Sequence, residues 1–193
     1  CAYGPYDIGL IVRFMHQFGL GDDPRVGHMY EWIEQKQMPE GGWVGVKVEC
    51  NPMPGGCLNS TANVLWGLAA SGIYYRRKVA RKGVDFLTKV MWSPKLRYGR
   101  ELSYPQFWNF WVDDIKLAEI YIGLGLSPRD VALKRPLDNV LALQGNDGRW
   151  QEQNGNYPVR ALRRFFPRKG QPSKWVTAKA MAALRRAYGR SGR

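Results

Sequence analysis

Three features of the sequence predict an all-α fold built from inner and outer helical hairpins. The phrase Gln37-Met-Pro-Glu-Gly41-Gly42-Trp43 returns as Gln144-Gly-Asn-Asp147-Gly148-Arg-Trp150, with the same Gln-to-Trp spacing and a glycine two residues before each tryptophan. Upstream of each copy stand a Gly-Leu-Gly triplet (Gly19-Leu20-Gly21; Gly123-Leu124-Gly125), a helix-start signal and an amphipathic stretch. Helical periodicity recurs along the chain while strand signals are weak throughout. Self-similarity on this scale marks a repeat architecture.

The elements follow in pairs. Ile8 to Phe18 is apolar on nearly every side, so an interior helix is expected there. Pro24 to Gln37 is its outer partner, capped by Asp23, opened by Pro24, and carrying Met29, Trp32 and Ile33 on one face. The second pair is Thr61 to Ser71 inside and Arg76 to Met91 outside, the latter with a stripe of Val79, Phe86, Leu87 and Val90. The third pair is Asp113 to Leu124 and Pro128 to Gln144, where Ser127 and Asp130 make a capping-box-like start. A last helix opens at Ser173 and turns Val176, Ala180, Ala183, Leu184 and Ala187 inward. Segments rich in Pro, Gly or aromatic residues, at 44–59, 93–110 and 151–172, read as loops.

The repeated phrase has a physical logic. Gln at a helix end can cap that helix's last carbonyls or the first amides of the next one, Gly supplies a turn with positive φ, and Trp covers the joint with a broad apolar surface. Repeated hairpins would bring the inner-helix starts, near Tyr6, Cys57 to Thr61, Asp113 and Ser173, to one rim, where helix dipoles favour an anion.

Composition bounds the rest. With 193 residues, 45% hydrophobic and 23% charged, the chain is expected to fold as one domain spanning 1–193. No apolar run approaches the roughly 20 residues of a membrane span, so a cytoplasmic or peripheral-membrane protein is expected. A start at Cys1 without a secretory signal reads as a processed chain or a fragment of a longer one. Three cysteines, Cys1, Cys50 and Cys57, are too few and too odd for a disulfide framework. The net charge of +13 is uneven, since no acidic residue follows Glu152. Arg163, Arg164, Arg168 and Lys169 are the candidates for contact with a diphosphate or an anionic membrane headgroup, against the plainer reading of a solvated basic face. Without a zinc-finger spacing, an RNP-type strand or a Gly-rich phosphate loop, sequence-specific nucleic-acid recognition is not expected.

The closures at Gln37 to Trp43 and Gln144 to Trp150 are similar to the Gln-Trp repeat of squalene and hopene cyclases. Together with Gly19 to Val26 and Gly170-Gln-Pro-Ser173-Lys-Trp175-Val-Thr177, they resemble the α/α-toroid superfamily of those cyclases and the protein prenyltransferases, in a bacterial branch with prenyltransferase and squalene-oxidase repeats. The resemblance implies an α/α toroid, partial or reduced because the helices are fewer than a full ring needs. It also implies an apolar centre for an isoprenoid, without fixing the chemistry.

Cyclases of this type protonate their substrate with the middle Asp of Asp-x-Asp-Asp. The nearest phrase here is Trp111-Val112-Asp113-Asp114, which lacks the first Asp. On the catalytic reading Asp113, backed by Asp114, is the acid, and Tyr104, Phe107, Trp108, Phe110 and Trp111 surround the substrate and its cation. On the plainer reading the two carboxylates cap a helix and the aromatic residues pack a loop. A prenyltransferase-like zinc site would draw on Cys57, with His16, His28 and Asp113 as the other candidates. The Cys50–Cys57 spacing matches no established zinc pair, and a buried thiol, a zinc ligand and a disulfide all stay open. No other cofactor is expected. His16, among Phe14, Met15 and Phe18, reads as a core or rim histidine or as a base. Two functions therefore stand side by side: a lyase, isomerase or transferase acting on an isoprenoid, and a non-catalytic lipid-binding or protein-interaction scaffold of the same fold.

Overall fold

A computed structural model describes residues 4–45, 55–72, 77–93, 112–153 and 165–189. They form seven helices: α1 (Pro5–Gln17), α2 (Pro24–Gln35), α3 (Leu58–Ala70), α4 (Lys78–Met91), α5 (Asp114–Gly123), α6 (Val131–Ala142) and α7 (Lys174–Tyr188). Among the described residues there is no strand, only isolated bridges between Gln144 and Trp150 and between Gln151 and Pro172. No described helix is long and apolar enough to cross a membrane. The chain divides into two compact units, Cys1–Arg97 with Ile120–Leu126, and Tyr98–Glu119 with Ser127–Arg193.

In the first unit α1 begins at Gly4, whose amide donates to the Asp7 carboxylate at 3.1 Å, and Pro5 takes the first helical position. The helix ends in a Schellman turn: Leu20 N–H donates to the Met15 carbonyl and Gly19 N–H to that of His16, with Gly19 at φ 74°. α5 ends the same way, Leu126 bonding Tyr121 and Gly125 bonding Ile122 at φ 86°. Gly19 thus corresponds to Gly125, and the two Gly-Leu-Gly triplets are out of register by two residues.

α1 and α3 cross with their backbones touching. A Cβ on Gly9 would lie 2.4 Å from the Asn63 carbonyl oxygen, and one on Gly67 would lie 2.5 Å from that of Gly9. α3 is buried over most of its surface, from Ser60 to Leu65 and again at Gly67 and Leu68. α1 is not the all-round interior helix its composition suggests: Pro5, Gly9 and Val12 are buried, whereas Phe14 is 51% and Phe18 77% exposed. Its packing follows its one small residue, because only the Gly9 face lets another helix come close. In α2 the buried stripe is Val26, Tyr30 and Ile33, with Met29 and Trp32 half-buried beside it. Asp23 caps α2 through the Arg25 amide at 2.9 Å. α4 starts at Lys78 and buries Ala80, Gly83, Val84, Phe86, Leu87 and Val90.

In the second unit the helix expected from Pro128 starts three residues later. Ser127 and Asp130 build the turn before it, Ser127 N–H donating to the Asp130 carboxylate at 2.6 Å and Arg129 N–H to the Ser127 hydroxyl at 3.1 Å. Asp130 is the N-cap residue and Leu133, Pro136, Leu137 and Val140 are buried. α7 opens on Ser173, whose hydroxyl accepts from Val176 N–H, and buries Val176, Ala180, Ala183 and Ala187, with Leu184 half-buried.

Candidate functional site

The repeated phrase builds the same joint twice. Trp43 and Trp150 are buried. Each indole N–H reaches back to the outer helix before it, Trp43 to the Ile33 carbonyl at 2.8 Å and Trp150 to that of Val140 at 2.6 Å. Gly41 and Gly148 take the positive φ the turn requires, 102° and 76°. The glutamine amides donate across that turn, Gln37 to the Gly41 carbonyl at 2.8 Å and Gln144 to the Gly148 carbonyl at 3.0 Å. They therefore brace the turn rather than cap the helix's own last carbonyls.

The joint continues into the next inner helix. Trp43 N–H donates to the Thr61 hydroxyl and Trp150 N–H to that of Thr177, both at 3.0 Å. The tryptophan carbonyls accept from Cys57 N–H and Ser173 N–H, both at 2.8 Å. Cys57 and Ser173 are thus equivalent N-cap residues, each four positions before its threonine. That spacing, Cys57-x-x-x-Thr61 and Ser173-x-x-x-Thr177, was the available sequence signal.

The two copies differ in what lies over them. α4 covers the first: Gln37 Nε2 also donates to the Val79 carbonyl at 2.8 Å. A Cβ on Gly41 would lie 2.2 Å from the Lys82 carbonyl oxygen, and one on Gly42 2.8 Å from the Phe86 ring. One on Gly83 would lie 2.9 Å from both Leu65 and the Trp43 ring. Over the second copy no described helix covers the corresponding positions. Gln144 and Gly148 are exposed, and a Cβ on Gly148 would meet only Gln144 Nε2, at 3.8 Å. Met181, which occupies the place of Leu65, is 57% exposed where Leu65 is fully buried. A groove of about 490 Å³ runs here, with Phe165, Trp175, Ala178, Met181, Arg149 and Lys174 on its walls.

A second cluster lies at the start of α5. Asp113 is 0%, Asp114 2% and Lys116 1% exposed. The Asp113 carboxylate accepts from Lys116 N–H at 2.7 Å, three residues on, and its carbonyl accepts from Leu117 N–H at 3.0 Å. This is N-cap geometry, with the negative charge at the favourable end of the helix dipole. The Asp114 carboxylate accepts from the Asn139 side-chain amide of α6 at 3.2 Å. Nothing in the pattern of α5 announced a buried lysine.

The remaining predicted residues fall as follows. Tyr104, Phe107, Trp108, Phe110 and Trp111 lie outside the described residues, as do Arg163, Arg164, Cys1 and Cys50. Arg168 and Lys169 are exposed. Cys57 is buried within the first joint. His16 pairs with the Tyr30 hydroxyl, and His28 is exposed on α2. Among the described residues no three His, Cys, Asp or Glu side chains come together to hold a metal ion. No family model matches the chain, and no curated protein matches it.

Proposed function

We propose that the chain is a non-catalytic binding scaffold, a partial α/α toroid of the cyclase and prenyltransferase type with both Gln-to-Trp joints in place and Asp113 serving as a helix cap. The observation that carries this reading is the Asp113 carboxylate, whose Oδ1 accepts from the Lys116 amide as a helix cap. A general acid must present its proton to the substrate within hydrogen-bond reach. A ligand is engaged instead at the groove beside Trp150, where apolar walls stand next to cationic side chains.

One observation favours the alternative, an isoprenoid enzyme with acid-initiated carbocation chemistry. Asp113, Asp114 and Lys116 are all out of water, and ionisable groups held in that way concentrate at functional sites.

Incubation with squalene and with farnesyl diphosphate, with and without zinc, followed by mass spectrometry of the products, separates the two. The scaffold reading expects no product, and an Asp113→Asn variant that melts close to the parent because Asn caps nearly as well as Asp. A product whose rate falls about 10²-fold or more in Asp113→Asn would establish the acid and remove the scaffold reading.

A further inference from the structure

We propose that the open face over the second Gln-to-Trp joint docks an acidic amphipathic helix supplied by a partner protein, seated as α4 is seated on the first joint. The proposal rests on the scaffold reading and names its partner.

The first joint is the template. There α4 offers three features one after another along one face: the carbonyl of Val79 to the Gln37 amide, the small residue Gly83 over the Trp43 ring and Leu65, and Phe86 against Gly42. These stand at positions i, i+4 and i+7, one stripe of a helix. The second joint presents the complementary half of the first two contacts and differs at the third. Gln144 Nε2 is directed at its own turn and lies at an exposed residue. Met181 stands where Leu65 stands and is 57% exposed. Arg149 stands where Gly42 stands.

That last difference specifies the occupant. Gly42 leaves room for the Phe86 ring, whereas Arg149 fills the same position with a guanidinium, whose ionic contact with Asp147 is long, at 3.7 Å, and largely exposed. A helix seated here therefore needs a small residue over Trp150 and Met181 and, three residues later, a carboxylate for Arg149. Bidentate pairing with carboxylate is what a guanidinium does best.

The surroundings carry the same sign. Lys174, Arg185 and Arg186 are exposed on α7, and no Asp or Glu follows Glu152 anywhere in the sequence. Charge also argues against a second copy of this chain lending its own α4. That helix carries Lys78, Arg81, Lys82 and Lys89 against the single Asp85, and like charges across an interface suppress a wrong partner. At the start of the seat Leu141 replaces Glu34, which in the first unit pairs with Arg77 at the head of α4 at 3.0 Å. The incoming helix should therefore begin with an apolar residue.

The test uses the full chain and a labelled peptide of the α4 sequence, residues 77–91, carrying Arg77→Leu, Arg81→Glu, Lys82→Glu, Phe86→Glu and Lys89→Glu. Fluorescence anisotropy should show saturable binding that weakens at least tenfold in Met181→Glu and in Arg149→Glu, and weakens further with salt. The unaltered α4 peptide should bind at least tenfold more weakly. Both substitutions are at exposed residues, and circular dichroism checks that the variants stay folded.

Binding of the acidic peptide that ignores both variants, equal binding of the unaltered peptide, or no binding would overturn the proposal. So would a dimer of the chain, detected by sedimentation, that Met181→Glu dissociates, since the occupant would then be a second copy. Binding to phosphatidylserine vesicles that depends on Arg149 and Met181 while the peptide fails would assign the face to lipid and likewise overturn it. Failure of the peptide leaves the scaffold reading standing if no Asp113-dependent product forms. Such a product removes the scaffold reading whatever the peptide does.

Discussion

At Trp43 and at Trp150 the indole N–H reaches the preceding outer helix, the backbone N–H meets a threonine hydroxyl, and the carbonyl accepts from an N-cap residue. Around Trp43 a further helix then closes over the turn, whereas around Trp150 the corresponding residues Gln144, Gly148 and Met181 are exposed. The comparison separates making a joint from covering it. One outer helix, one turn and the start of the next inner helix suffice for the hydrogen bonds. The covering helix adds burial and a second acceptor for the glutamine, and it is this addition that the second copy lacks among the described residues.

The largest expected effects test the shared part. Trp43→Ala and Trp150→Ala should each cost roughly 3–5 kcal/mol in urea unfolding, the usual cost of truncating a large buried aromatic residue. Trp43 should be the costlier because its ring also meets α4 at Gly83. A small effect at either tryptophan would break the equivalence of the two joints.

The glycines sharpen the contrast. Gly148→Ala should cost about 1–2 kcal/mol for a left-handed backbone alone. Gly41→Ala adds a methyl group 2.2 Å from the Lys82 carbonyl oxygen, so it should cost at least about 1 kcal/mol more, in the range of overpacking penalties. Equal melting of the two variants would mean that α4 does not sit over the first turn as described.

Smaller again, Gln37→Ala removes two hydrogen bonds at a part-buried site and should cost about 1–3 kcal/mol. Gln144→Ala removes one at an exposed site and should cost about 0.5 kcal/mol.

The smallest effect concerns the cap of α2. The Arg25 side-chain hydrogen bond is the main cause holding the Asp23 carboxyl down at about 2. A carboxylate depressed in the folded state contributes stability above its unfolded value of 3.8 and loses it as pH falls toward about 2. Asp23→Asn should therefore slightly flatten the fall in melting temperature between pH 4 and pH 2. An unaltered acid limb would show that this exposed pair contributes nothing.

Much of this was legible in the sequence because the joint is local. Gln, Gly and Trp lie within one turn, and each has a single physical task. The threonine was harder to find because it lies 18 residues after Trp43 but 27 after Trp150, so no fixed Trp-to-Thr spacing connects the two copies. Burial was least legible. Phe14 and Phe18 are as apolar as any core residue, yet exposure depends on what packs beside them, and α1 is approached through Gly9. Lys116 shows the converse, a charged side chain whose burial is set by neighbours that periodicity does not reveal. For Asp113 the sequence left a cap and an acid open, and the bond to Lys116 N–H supports the cap.

The most direct test of the covered and uncovered joints is NMR hydrogen exchange of the side-chain N–H groups of Gln37, Gln144, Trp43 and Trp150 in the folded chain. Both indole protons should exchange slowly, the Gln37 amide should be protected between the Gly41 and Val79 carbonyls, and the Gln144 amide should exchange fast at its exposed turn. Equal protection of the two glutamines, or rapid exchange of either indole, would contradict the account.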